Sequence, residues 1–130
     1  CGNAERNNCS VYQRALSLGY MDAIELTHAY PFHEINDYLH TYPERRADVE
    51  HTIAYFDGIS FADKIKCPVI VNIGLQDNVV PPETGYAVFA AISSDNKKFY
   101  EYDGHGHDAG KYIHSAIVDE FFATHLKKEN

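Results

Sequence analysis

Tryptophan is absent from this chain, methionine occurs once, and there are only three cysteines in 130 residues. The cysteines, Cys1, Cys9 and Cys67, are odd in number and show no C-x-x-C spacing, which argues against a disulfide scaffold. No apolar run approaches the roughly 20 residues that span a bilayer. The opening stretch "CGNAERNNCS" also lacks the apolar segment of a signal peptide. Positive charge is scarce: 11 Lys and Arg face 19 Asp and Glu, a formal charge of −8. Such a surface repels phosphate backbones, so a nucleic-acid partner is not expected, and without a spanning run neither is a membrane. These absences together predict a soluble, cytoplasmic protein.

The residues that are present suit one folded domain. Hydrophobic residues make up 45% of the chain, which excludes a disordered composition, and the length fits one modest core. Residues 1–66 read as mainly helical. "SVYQRALSLGYMDAIEL" carries Val11, Ala15 and Leu18, with Ser10 as a cap and Gly19 as a weak point. "PFHEINDYLHTYP" places Phe32, Ile35, Leu39 and Tyr42 on one helical stripe, stopped at Pro43. "ERRADVEHTIAYFDG" repeats the pattern with Val49, Ile53 and Phe56, ending near Gly58.

The pattern changes at Cys67. "CPVIVNIGLQD" is a short apolar run rich in β-branched residues, the signature of a strand buried on both faces, over 68–74. Pro81 and Pro82 open a helix, where proline is tolerated in the first turn. "KKFYEYDG" predicts a second strand over 97–103. The last segment predicts a helix with Ile113, Ile117, Phe121 and Thr124 on one side. Residues 67–130 therefore read as β-α-β-α, with the two strands parallel and adjacent. Two strands alone leave both edges open, so further strands or a second copy are expected, and a homo-oligomer is the predicted state.

Ligands of open α/β sheets bind outside the carboxyl ends of the strands. Asp77 follows the first predicted strand and His105 the second, in "YDGHGHDAG". An acid followed one βα unit later by a histidine is the order of the last two members of a Ser–Asp–His triad. There the carboxylate takes one imidazole N–H and fixes the tautomer, and the other ring nitrogen serves as base.

At these residues the chain resembles the acetyl xylan esterase / cephalosporin C deacetylase family of α/β hydrolases. The resemblance rests on "IKCPVIVNIGLQDNVVPPETGYAVFAAI" and "KFYEYDGHGH", and upstream on "YPFHEINDYL" and "IAYFDGISFADKIKCP". It runs from about Tyr30 onward, and the GLxDxxxPP pattern around Asp77 is its most specific part. It implies a partial α/β-hydrolase fold, the C-terminal portion of a parallel sheet preceded by helices. It also implies an esterase that deacetylates small acetylated carbohydrates or cephalosporin-type esters, without a cofactor. Asp77 then matches the triad acid and His105 the triad histidine. His107 is a departure from the family pattern and the alternate. A His105 ring nitrogen is thus expected about 2.6–3.2 Å from an Asp77 carboxylate oxygen.

No G-x-S-x-G nucleophile elbow occurs in the chain. The expectation is of the acid and base of a triad without its serine, inactive alone. Ser60 and Cys67 are the residues to test should a nucleophile exist after all. Plainer readings stand beside this one. Asp77 could serve only an Asx-turn through Asn78. The pair His105-x-His107 with Asp108 could ligate a metal, but the nearest third ligand, His114, lies on a predicted helix, and no metal is expected. A non-catalytic, self-associating α/β module is the alternative function. The tyrosines read as packing unless they form an exposed patch.

Overall fold

The computed structural model describes residues 11–14 and 19–126. Its centre is a parallel sheet of three strands in the order β1 (Val11–Arg14), β2 (Val69–Gly74), β3 (Lys97–Tyr102). Val11 pairs with Val69 on one side of β2, and Lys97 pairs with Val69 on the other. Strands 68–74 and 97–103 are parallel and adjacent as predicted. The sequence-based expectation of helix around 10–18 is corrected by β1. Four residues of mixed polarity there give a weak local signal, and ladder bonds to β2 decide the conformation. β2 is consequently central, not an edge strand. The capping role given to Ser10, and the helical stripe at Ala15 and Leu18, lie outside the described residues.

Burial explains the apolar run of β2: all six of its residues are buried. Each fully buried Val or Ile contributes about 1.5–3 kcal/mol. Because side chains alternate along a strand, Val69 and Val71 point to one face. There they meet Val88 of α4 (Pro82–Ala91), Ile92 at the end of that helix, and Ala62 of the 3-10 turn Gly58–Lys64. Ile70 and Asn72 point to the other face, on the side of α5 (Lys111–His125). The β3 residues Tyr100 and Tyr102 meet His114 of that helix edge to face. Helices thus cover both faces of a parallel sheet.

Among the described residues three α-helices lie in the β1–β2 crossover: α1 (Tyr20–Leu26), α2 (Phe32–Thr41) and α3 (Arg46–Ala54). Pro43 ends α2 as expected and opens a short 3-10 turn into α3. α3 stops at Ala54, ahead of Gly58, which begins the next 3-10 turn. Its supposed apolar face is shallow, since no α3 residue is buried and Phe56 is 80% exposed. The helical layer is tied down by the buried Asp57, whose carboxylate accepts the N–H groups of Gly19, Tyr20 and Ile59. A second core, Ala23, Ile24, Phe32 and Val80, joins α1 and α2 to the segment after β2. The stripe predicted on α5 is also shifted. Ile113 is largely exposed and Thr124 exposed, Phe121 is buried, and the deepest side chain of the helix is His114. Among the described residues no helix is long and apolar enough to cross a membrane.

Candidate active site

Both predicted polar clusters lie where β2 and β3 end. β2 stops at Gly74, and a tight turn through Leu75 and Gln76 brings the chain to Asp77. A methyl group at Gly74 would overlap the carbonyl oxygens of Gly106 and His105. Only glycine lets the two loops pass so closely. Leu75 N–H donates to the Tyr102 carbonyl at 3.0 Å and Gln76 N–H to the His105 carbonyl at 2.9 Å. The ladder between the strands is therefore continued by their loops.

The two carboxylate oxygens of Asp77 have separate tasks. Oδ1 accepts the backbone N–H groups of Val79 at 2.8 Å and Val80 at 3.0 Å. Oδ2 accepts from His107 Nδ1 at 3.0 Å. The turn-forming and the imidazole-orienting readings of Asp77 are thus both realised in one side chain. The acid is well shielded at 8% side-chain exposure, while His107 stands at 42%. An ionised carboxylate only accepts, so neutral His107 carries its proton on Nδ1 toward Asp77.

The expected contact between His105 and Asp77 is replaced by this one. The main chain of His105, not its ring, meets the acid's loop through the bond from Gln76 N–H. Its Nδ1 turns instead to Asp108 Oδ2 at 2.6 Å, while Asp108 Oδ1 accepts Gly106 N–H at 3.1 Å. The hydrogen bond from His105 holds the Asp108 carboxyl below its ordinary value of 3.8. The loop after β3 therefore carries two paired imidazoles, one bound within that loop and one bound to the loop after β2. His114 joins neither of them. It sits beneath the loop with Nδ1 2.7 Å from the Tyr102 hydroxyl, and burial pushes its pKa below the ordinary 6.5. Among the described residues no group of three or more His, Cys, Asp or Glu side chains is placed to hold a metal.

Several residues that shape the site left no signal in the sequence. Asn72, on buried β2, donates to the Ala109 carbonyl at 2.6 Å and fixes the end of the histidine loop. Gly110, at φ +74°, lies so close to the Tyr102 ring that a side chain would collide with it. Thr27, after α1, donates its hydroxyl to the Asn78 carbonyl at 2.7 Å. Beside Asp77 opens a cleft of about 620 Å³, bordered by Thr27, His28, Asn78, Pro82 and Glu83. Ser60 is exposed on the 3-10 turn Gly58–Lys64, and Cys67 is half-buried just before β2.

Residues 9–125 match the family model of acetyl xylan esterase (AXE1). The acetyl esterase Axe7A of Xylanibacter ruminicola is 46% identical over 44 residues, covering 34% of this chain and 10% of that protein. Among solved structures, the acetyl xylan esterase of Paenibacillus sp. R4 superposes with a TM-score of 0.79 at 26% identity, over 90% of this chain and 38% of that one. Acetyl xylan esterase 1 of Thermoanaerobacterium sp. JW/SL YS485 gives 0.78 at 24% identity, over 91% and 38%, a likeness of fold. The chain thus spans well under half the length of these relatives. The α/β-hydrolase architecture expected from the sequence is the one these structures share.

Proposed function

Since this chain belongs to the acetyl xylan esterase family, we propose that it carries the acid and the base of a Ser–His–Asp ester-hydrolysis site, with the serine supplied from outside these 130 residues. The observation that carries this reading is the 3.0 Å bond between His107 Nδ1 and Asp77 Oδ2, made at the ends of adjacent parallel strands. Asp77 fixes the imidazole so that Nε2 is the nitrogen that accepts a proton from the nucleophile, and the shielded carboxylate stabilises the imidazolium that forms. The substrate is an acetyl ester of a small carbohydrate of the xylan type. The polar border of the neighbouring cleft, with Thr27, His28, Asn78 and Glu83, suits a hydroxyl-rich leaving group.

The test is hydrolysis of p-nitrophenyl acetate by the chain as it stands. Loss of a triad nucleophile costs about 10⁶-fold in turnover, whereas a positioned general base acting on water retains roughly 10²–10⁴-fold. A slow, burst-free rate above that of free imidazole is expected, lost in both Asp77→Asn and His107→Ala. A stoichiometric burst of p-nitrophenol overturns the proposal, because it reports a nucleophile within the chain. So does a rate that is indifferent to His107→Ala.

A second reading is favoured by exposed apolar surface. Phe56 at 80%, Tyr112 at 83% and Ile113 at 61% exposure are large apolar side chains left in water, which association would cover. Self-association is its expected outcome, and a monodisperse monomer in sedimentation at micromolar concentration counts against it.

A further inference from the structure

We propose that Gln76 is a positioning residue for the Asp77–His107 pair, acting by clasping the histidine loop to the acid loop. The inference rests on the reading of that pair as acid and base. Gln76 immediately precedes Asp77, and its backbone N–H and side-chain amide both reach across to the loop after β3. Its backbone N–H donates to the His105 carbonyl at 2.9 Å. Its Nε2 donates to Asp103 Oδ1 at 2.8 Å, and its Oε1 accepts Gly104 N–H at 2.6 Å. Asp103 Oδ1 also accepts Gly104 N–H at 3.0 Å, which closes the clasp into a ring of three bonds. Gly104 lies at φ +78°, a conformation that glycine reaches at no steric cost, so the turn presents its N–H to the amide without strain.

The physical need for such a clasp follows from the site itself. His107 is half exposed and is carried by a loop with no regular structure, yet it must keep one nitrogen on Asp77. Its bond to Asp77 spans two loops, so its geometry depends on how those loops are held together. The amide of glutamine suits the task because it donates and accepts at once, serving a carboxylate and a backbone N–H with one planar group. A charged or purely accepting side chain at this position would lose one of the two bonds.

The tautomer of His107, read from imidazole ¹⁵N chemical shifts at neutral pH, reports the positioning directly. Stability alone does not move it. In the unaltered chain the Nδ1–H form is expected to dominate. Gln76→Ala and Asp103→Ala should each lower the ratio of Nδ1–H to Nε2–H roughly two- to tenfold, the change that one ordinary hydrogen bond carries. The double variant should go little further, since both remove the same link. Asp103→Asn, which keeps an accepting oxygen, should restore the ratio. Gln76 and Asp103 are both exposed, and thermal melts within a few degrees of the parent are expected. Asp77→Asn separates the two levels of the argument. If it leaves the tautomer unchanged, the acid–base pair itself is misread. If it collapses the ratio while Gln76→Ala and Asp103→Ala do not, the pair stands and the clasp is overturned.

Discussion

Asp77 and His107 are held by two different loops, whereas His105 and Asp108 lie three residues apart within one. The first pair joins elements that only the sheet brings together. Its acid is 8% exposed and receives two further backbone bonds. The second pair has side-chain exposures of 31% and 46% and closes a local turn. A local pair forms wherever the chain bends appropriately, and water screens it. A long-range pair with a shielded acid forms only when the strands are in register, so it reports on the whole fold. The 2.6 Å His105–Asp108 contact is the shorter of the two, yet the 3.0 Å contact is the one supported from several elements. Length of a bond is therefore a poor guide to which pair is built for work.

Breaking the shared support of the first pair should have the largest effect. Gly74→Ala forces a methyl group into the backbone of the histidine loop, and the expected cost is about 3 kcal/mol, the upper end for overpacking. Urea unfolding measures it, and a loss under about 1 kcal/mol would show that the loops separate easily. Next is His114→Ala, which removes a buried ring between Tyr100 and Tyr102 and should cost about 2–3 kcal/mol. His114 also sharpens the comparison through pH. Its pKa is lower in the folded chain than its ordinary 6.5, so the unfolded chain binds more protons between the two values. The stability it contributes is complete above about pH 6.5 and is lost as pH falls through the lower folded value. His114→Phe, which has no proton to bind, should flatten that slope in melts between pH 7 and 5.

Asp77→Asn tests the long-range pair itself. It removes a charge-assisted bond to His107, and a loss of about 1–2 kcal/mol is expected, visible as a smaller urea midpoint. Asp108→Asn should have the smallest effect, with no change in melting temperature beyond error at pH 7. The depressed Asp108 carboxyl contributes only above its ordinary value of 3.8, and that contribution fades as pH falls through the lower folded value. Added salt should erase even this. A destabilisation by Asp108→Asn equal to that by Asp77→Asn would dissolve the distinction between the pairs.

What was legible in the sequence follows physical periodicity. β2 reads as a nearly unbroken apolar run because both of its faces are buried, and α4 announces itself by Pro81 and Pro82. Asp77 is legible because strand ends are where turn chemistry and family pattern coincide. His105 and His107 are two residues apart in an irregular loop, and nothing in their spacing says which ring turns to the acid. The rings divide between Asp77 for His107 and Asp108 for His105, and the contact to Asp77 exists only after the sheet has brought the two loops together.

The sequence by itself determined the alternation of β and α after Cys67, the acid after β2 and the histidines after β3, since each depends on neighbours along the chain. Tertiary structure alone decided that Val11–Arg14 is a strand, that α5 turns His114 inward and Ile113 outward, and that His107 is the partner of Asp77. Those outcomes rest on partners dozens of residues away. Ladder bonds, a tyrosine hydroxyl and an aspartate carboxylate carry energies comparable to local propensity, and they act only once distant segments meet.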